Sequence, residues 1–495
     1  MARYAYDRLS AQDASFLAAE GGCTPMHVSA IQIFEAGPLR EDGGIAIGKI
    51  RRGYESVLHG VPRYRQKLAW VPFENRPVWV DDPHFQLDYH IRHVALPHPG
   101  GLEELKRLAS RVLEHPLDRN RPLWELWVVE GLSGDRFATI AKTHHCMVDG
   151  ASGVELAQRL LSPDPHAPVD DPPSFYPRPI PSGAELLRDE MMRRMLMPLR
   201  ALRGLAAFRD EVDDVASEVG VRLRALADLA GVAIRRASET PLNGDLCPHR
   251  RFDWLDMSLG EVKAVRRKLG CTVNDVVLAT VTEAVRRFML SRNVDPARIR
   301  FRAAAPVSVR SEREKDLPGN RVSSWMVELP IGETDRLRQV EILRKETEYL
   351  KSSRQALGVD MLMTAAEIAP MPLFRFGAHL ASGPVNTIVT NVPGPQFPLY
   401  MQGARMLAMI PQVPLIPGIG LGIALMSYDG RIFWGFTADY ELVPDLSAFV
   451  RSIAASFADL ALACEAELEA ETRPAPAAPR PLLTAIEGDG AARAC

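Results

Sequence analysis

Between Ser162 and Ser182 the chain carries Pro163, Pro165, Pro168, Pro172, Pro173, Pro177, Pro179 and Pro181. Each proline fixes its own φ and turns the residue before it away from helical geometry, so this stretch can be neither a helix nor a central strand. It is expected to be a stiff, extended connection. A chain of 495 residues is too long for one ordinary core, since domains usually hold roughly 100 to 200 residues. The expected division is therefore a domain over 1–161, a proline-rich and helical connection over 162–240, a second domain over 241–470, and a disordered tail of alanine, proline and charge over 471–495.

Charge narrows the function. Fifty-nine Lys and Arg stand against 62 Asp and Glu, for a formal net charge of -3, which gives no reason to expect a nucleic-acid partner. The six cysteines form no C-x-x-C pair, and reduced thiols are expected. Met1 to Arg8 holds no apolar run of signal-peptide length, so the expected location is cytoplasmic. Met406 to Met426 is apolar except for Gln412, long enough to raise a membrane span. Its interior prolines and glycines would break such a helix repeatedly, and the stretch reads as a buried loop running into a strand.

Local signals give mixed α/β patterns on both sides of the connection. Trp124 to Leu132 and Phe137 to Thr143 read as strands about the turn Ser133-Gly134-Asp135. Arg300 to Val309 and Asn386 to Val392 read as strands, and Gly422 to Tyr428 with Arg431 to Ala438 as a hairpin about Asp429-Gly430. Ser258 and Glu261 have capping-box spacing before a basic helix ending at Gly270. Thr272 reads as the N-cap of the next helix, with Asp275 favourable at its positive end.

The sharpest chemical signal is His144-His145-Cys146-Met147-Val148-Asp149-Gly150, at the junction of a strand and a helix over Ala151 to Leu161. Neighbours on an extended segment point to opposite sides, so one imidazole at most faces a given cavity. A neutral imidazole can take a proton from a hydroxyl and return it to a leaving group. Asp149 is read as the orienter of this loop through a salt bridge or as the N-cap of the following helix. Cys146 reads as a small buried thiol rather than a nucleophile. His84, His90, His93 and His98 lack the carboxylate or cysteine spacing that would complete a metal site, and no metal is expected.

The seven-residue segment resembles the active-site motif of the CoA-dependent acyltransferase superfamily. More narrowly, the chain resembles the bacterial wax ester synthase/acyl-CoA:diacylglycerol acyltransferase family. Leu9 to Leu17, Pro25-Met26-His27-Val28, Arg121-Pro122-Leu123-Trp124, Asn274-Asp275, Pro306 to Arg310, Gly319-Asn320 and Asn391-Val392-Pro393-Gly394-Pro395 match its blocks in order, from about Leu9 to about Ala470. His-His-x-x-x-Asp-Gly alone also occurs in condensation domains of peptide synthetases; the ordered set carries the specificity.

The resemblance implies two similar chloramphenicol-acetyltransferase-like α/β domains with a substrate tunnel between them. It implies an O-acyltransferase moving a long acyl chain from acyl-CoA, a co-substrate rather than a bound cofactor, to diacylglycerol or a long-chain alcohol. His145 corresponds to its general base and Asn274 to its oxyanion donor, a role that a first-turn amide at the positive end of a helix suits. His144 and Asp149 would hold the loop. Gly150, Pro122, Leu123, Trp124 and Asp275 complete the expected substrate-binding set, the Pro-Leu-Trp block as core and tunnel wall. Asn391 to Pro395 reads equally as a tight turn or a substrate contact. The rivals are a carrier-protein-dependent or condensation-type enzyme and a non-catalytic lipid-binding protein. Both acceptors are apolar, and Glu185 to Arg209 interleaves Met and Leu with Arg. That segment reads either as a patch for peripheral attachment to a membrane or lipid droplet, or as an interdomain strut.

Overall fold

Strand β2 (His27–Glu35) is the spine of the N-terminal half, and residues from both ends of the chain pair with it. The structure, a computed structural model, describes residues 6–147, 157, 159–196, 237–308, 322–352 and 385–472. In chain order its strands are β1 (Asp7–Arg8), β2, a ribbon of β3 (Arg40–Glu41) and β4 (Gly44–Ile45), β5 (Gln66–Trp70), β6 (Pro77–Asp81), β7 (Ile91–Ala95), β8 (Trp124–Leu132), β9 (Arg136–His144) and β10 (Arg250–Ser258). There follow β11 (Phe301–Ser308), β12 (Val322–Leu329), β13 (Thr387–Pro393), β14 (Tyr400–Met401), β15 (Ala404–Gln412), β16 (Leu421–Tyr428) and β17 (Arg431–Asp439). Two six-stranded sheets result among the described residues, β14-β15-β2-β9-β8-β7 and β10-β17-β16-β13-β11-β12, with a smaller sheet β1-β6-β5. Mixed α/β layers recur in both halves, the fold class expected from the sequence.

The turns follow their residues. Asp429 and Gly430 take positive φ between β16 and β17, the backbone a two-residue hairpin requires, and Gly134 and Asp135 do so in the three-residue turn between β8 and β9. The Met406 to Met426 stretch spans no helix. Its first part is β15, its last enters β16, and only the residues between form the expected loop.

One feature departs from the expected division at the connection. β15 lies beyond residue 400, yet it pairs antiparallel with β2, Ile410 opposite Ile31 and Gln412 opposite Ser29. The buried Met406 and Ile410 join the core of Ile31, Phe34, Trp124 and Phe137, each burial worth roughly 1.5 to 3 kcal/mol. The second core lies under β16 and β17, with Val276, Val281, Phe436 and Ile453. The sheets meet where β15 crosses β17: a Cβ on Gly435 would stand 1.8 Å from the carbonyl oxygen of Pro411.

Of the first four helices, α1 (Ala11–Ala19), α2 (Ile47–Val57), α3 (Leu87–His90) and α4 (Leu102–Glu114), the last ties the halves together. Lys106 pairs with Asp253 at 2.7 Å, and Ser110 Oγ accepts from the backbone N–H of Phe252 at 3.0 Å. At its C-terminal end, Lys142 Nζ donates to the carbonyl of Val112 at 2.8 Å, and His27 Nε2 lies 2.6 Å from that of Leu113. A buried cation there completes the orphan carbonyls and complements the helix dipole.

Candidate active site

Helix α1 (Ala11–Ala19) begins on Ser10, whose hydroxyl oxygen accepts from the backbone N–H of Asp13 at 3.0 Å. It ends at Glu20, and the chain turns back through Gly21 to Thr24 into β2. This puts Phe16, Glu20 and Met26 around the end of β9. His145 donates its backbone N–H to the carbonyl of Met26 at 2.8 Å, and His144 donates to that of Leu123 at 2.9 Å. The two histidines therefore leave β9 fixed at the backbone by different neighbours, and their side chains part.

His144 is buried. Its Nδ1 accepts the backbone N–H of Cys146 at 3.1 Å, which leaves the proton on Nε2, 3.4 Å from Glu20 Oε1. Glu20 also accepts from Arg119 Nε at 3.0 Å and from the backbone N–H of Met26 at 3.2 Å. Burial opposes ionisation of Glu20, but the contacts from His144 and Arg119 and the charge of Arg119 prevail and hold its carboxyl at about 2. Carboxylate, His144 and the Met26 peptide thus form one anchored group under the loop. Burial pushes the Cys146 thiol well above its ordinary value, so it stays a protonated packing residue.

His145 is placed differently. Its ring lies on Phe16, its Nδ1 is sealed from solvent without a hydrogen-bond partner among the described residues, and loss of surrounding water lowers its pKa to about 4. The imidazole is neutral at pH 7. Asp149, Gly150 and most of the helix expected after them lie outside the described residues.

The other half of the site is the start of α7 (Val273–Ser291), which follows α6 (Leu259–Lys268); the helix over 183–196 is α5. Thr272 caps α7 as expected, its oxygen accepting from the Asp275 N–H at 3.2 Å, while the Asp275 carboxylate accepts from the Thr272 N–H at 2.8 Å and hydroxyl at 2.7 Å. Asn274, next in the first turn, is exposed. Its Oδ1 accepts from Asn391 Nδ2 on β13 at 2.7 Å. Among the described residues no hydrogen bond joins His145, in the turn after β9, to Asn274, in the first turn of α7.

Several expected substrate contacts are placed in the interior. Asp275 is only 1% exposed, and its other oxygen accepts from Thr347 Oγ1 at 2.8 Å. Both oxygens of its carboxylate are thus engaged, one by the cap of α7 and the other by Thr347. Pro122, Leu123 and Trp124 are buried too. Trp124 Nε1 donates to the Tyr64 carbonyl at 2.8 Å and its indole stacks on His90, centroids 4.6 Å apart. The block acts as core, and through the Leu123 carbonyl it sets the His144 backbone. His90 is a buried, neutral histidine, lowered to about 4 by burial. Among the described residues no three His, Cys, Asp or Glu side chains are grouped as metal ligands. Gly394 is a turn glycine: a Cβ there would meet the Ser427 carbonyl at 2.3 Å.

Sequence reasoning did not assign Glu20 or Arg119 and quoted Phe16 only within a matching block. Nothing local marks them, because Arg119 reaches Glu20 across 99 positions and Glu20 and Phe16 meet the histidine pair from still farther away.

A family model described as the wax ester synthase/diacylglycerol acyltransferase catalytic domain matches residues 9–277, and that family's C-terminal domain matches residues 318–461. A Mycobacterium tuberculosis (strain CDC 1551 / Oshkosh) protein with the provisional name diacylglycerol O-acyltransferase is 34% identical over 454 residues, spanning 89% of this chain and 88% of the relative. A second M. tuberculosis protein (strain ATCC 25618 / H37Rv) with a name of that kind is 32% identical over 456 residues, 90% of this chain and 94% of its own. Among solved structures, the wax ester synthase/diacylglycerol acyltransferase from Marinobacter aquaeolei VT8 superposes with a TM-score of 0.66 at 24% identity, over 92% of this chain and 100% of that one. The first condensation domain of the calcium-dependent antibiotic synthetase gives 0.60 at 18%, over 92% and 97%. These last two speak for the fold alone.

Proposed function

The chain belongs to the wax ester synthase/diacylglycerol acyltransferase family, and we propose that His145 and Asn274 carry its reaction. It is an acyl-CoA-dependent O-acyltransferase forming triacylglycerol or wax ester, with diacylglycerol or a long-chain alcohol as acceptor. The observation that supports His145 is its difference from His144: neutral, clamped by Phe16 and free of a second side-chain bond, where His144 is tied to Glu20.

In this scheme Nε2 of His145 takes the acceptor's hydroxyl proton as the alkoxide oxygen bonds to the thioester carbonyl carbon. Negative charge gathers on the carbonyl oxygen, where the Asn274 amide and the positive end of α7 oppose it. The carbon–sulfur bond then breaks, and the imidazolium returns its proton to the CoA thiolate. Base catalysis of this kind supplies roughly 10² to 10⁴ in rate. In the scheme His144 holds the loop; the roles proposed for Asp149 in holding it and for Gly150 in substrate binding rest on their places in the motif. Acyl-CoA completes the scheme without a further cofactor. Purified protein incubated with a fatty acyl-CoA and equal diacylglycerol and hexadecanol is expected to yield triacylglycerol, wax ester or both, without a carrier protein. Formation of neither ester would refute the reading.

We further propose a cytoplasmic enzyme that meets its apolar acceptor at a membrane or lipid-droplet surface. The support lies in α5. One side docks through Leu186 on Val71, Val78 and Val80, while Met191, Met192, Met195 and Leu196 stay exposed beside the hairpin tip of Phe73. Arg193 and Arg194 are held by Glu190 and Glu74, so the apolar side chains rather than these arginines would make the contact. Residues 197–209, Arg200 included, lie outside the described part.

A further inference from the structure

An oxyanion donor must present N–H, not C=O, to the reacting oxygen, and a primary amide on one freely turning bond offers both. The capping bonds of Thr272 and Asp275 fix the backbone of the first turn of α7, yet they leave the Asn274 amide free to flip. What occupies one face of that amide is Asn391. It stands on β13, opposite Leu425 of β16, and the turn after it is pinned where Gly394 N–H meets Ser427 Oγ at 3.2 Å. Its Nδ2 reaches Asn274 Oδ1 at 2.7 Å.

We infer that Asn391 is a positioning residue for oxyanion stabilisation: by donating to Asn274 Oδ1 it holds that amide with Nδ2 turned outward. The inference rests on Asn274 being the oxyanion donor. Asn391 itself touches neither substrate nor proton. Its hydrogen bond makes the other amide a one-sided donor before substrate arrives, so no reorientation is needed as charge develops. The pair also joins a helix start to a strand end more than a hundred residues later.

Asn391→Asp is the informative change. It keeps size and shape but replaces a donor with an acceptor, so Asn274 must flip to donate to it and would show its carbonyl to the oxyanion. Asn391→Ala merely lets the amide turn. With kcat and KM measured for all variants against acyl-CoA and a detergent-dispersed acceptor, and melting temperatures checked alongside, the expected order is wild type, then Ala, then Asp. Asp should fall about tenfold below Ala in kcat, with KM for acyl-CoA unchanged. Asn274→Ala should lower kcat roughly 10²- to 10³-fold, and Asn391→Asp should cost nothing further in that background. Asp equal to or better than Ala, as a purely structural hydrogen bond would give, overturns the positioning role while leaving Asn274 in place. A further loss from Asp on top of Asn274→Ala marks direct repulsion by the new charge and overturns it too. Wild-type kcat in Asn274→Ala removes the oxyanion reading and this inference together.

Discussion

The imidazole of His145 lies flat on the ring of Phe16, centroids 3.7 Å apart and planes 15° from parallel. The stack fixes the plane of the ring proposed to take the proton, and its π face would favour the imidazolium formed in that scheme. Such pairs are worth roughly 0.5 to 1.5 kcal/mol. Phe16→Leu keeps the volume and removes the face, so kcat should drop about 2- to 10-fold with the melting temperature little changed. Steady-state kinetics beside a thermal melt decides it, and an unaltered kcat would show the ring to be packing only.

His145→Ala should lower kcat by roughly 10² to 10⁴ in a protein that still folds. His144→Ala should act by another route. It strips Glu20 of one partner inside the core, so the larger loss is in stability, with about 1 to 3 kcal/mol expected from urea unfolding. Equal mild kinetic losses in two folded proteins would sink the division of labour.

Acid should affect activity and stability at different points. With the His145 pKa lowered to about 4, the acid limb of kcat/KM due to this residue should lie near pH 4 rather than near 6.5. For stability, His27, His90 and His145 are all held neutral by burial. Below the unfolded value near ~6.5 the unfolded chain binds protons these side chains refuse, so their contribution falls as pH drops from about 6.5 towards 4. The depressed carboxyl of Glu20 adds a later loss, between about 4.5 and 2. Unfolding midpoints across that range test this; a flat profile from pH 7 to 5 would contradict it.

Gly435→Ala places a methyl against the Pro411 carbonyl, 1.8 Å away before relaxation. The backbone must shift, and overpacking of this kind costs about 1 to 3 kcal/mol or more. A fall of several degrees in melting temperature is expected, whereas Gly48→Ala, with open space around it, should leave the melt where it was.

Met192→Ser with Met195→Ser should reduce co-sedimentation with lipid vesicles while sparing turnover of detergent-dispersed substrate. Unchanged vesicle binding would return α5 to the role of a strut.

Patterns that act over short distances were legible from the sequence alone. The hairpin at Asp429-Gly430, the caps at Ser258 and Thr272, and the hairpin strands leading into the histidine pair depend on neighbours within a few residues, where turn and capping chemistry is local. The cap that Asp275 makes was legible in the same way, but its burial against Thr347 was not, because that partner lies 72 residues away on another helix. The Asn274–Asn391 bond and the Glu20–His144 group were invisible for a related reason. Each joins residues with no shared periodicity, brought together by tertiary packing.

The pairing of β15 with β2 bears on how such a protein can be divided and recombined. A gene cut at the proline-rich connection would yield an amino-terminal fragment whose β2 edge is bare and whose core lacks Met401, Met406 and Ile410. On a ribosome the same edge stays open until the last quarter of the polypeptide emerges. Chimeras between relatives should therefore exchange residues 400–412 together with the amino-terminal segment, because inheritance of the sheet that leads into the histidine pair follows its hydrogen bonds and not its position in the reading frame.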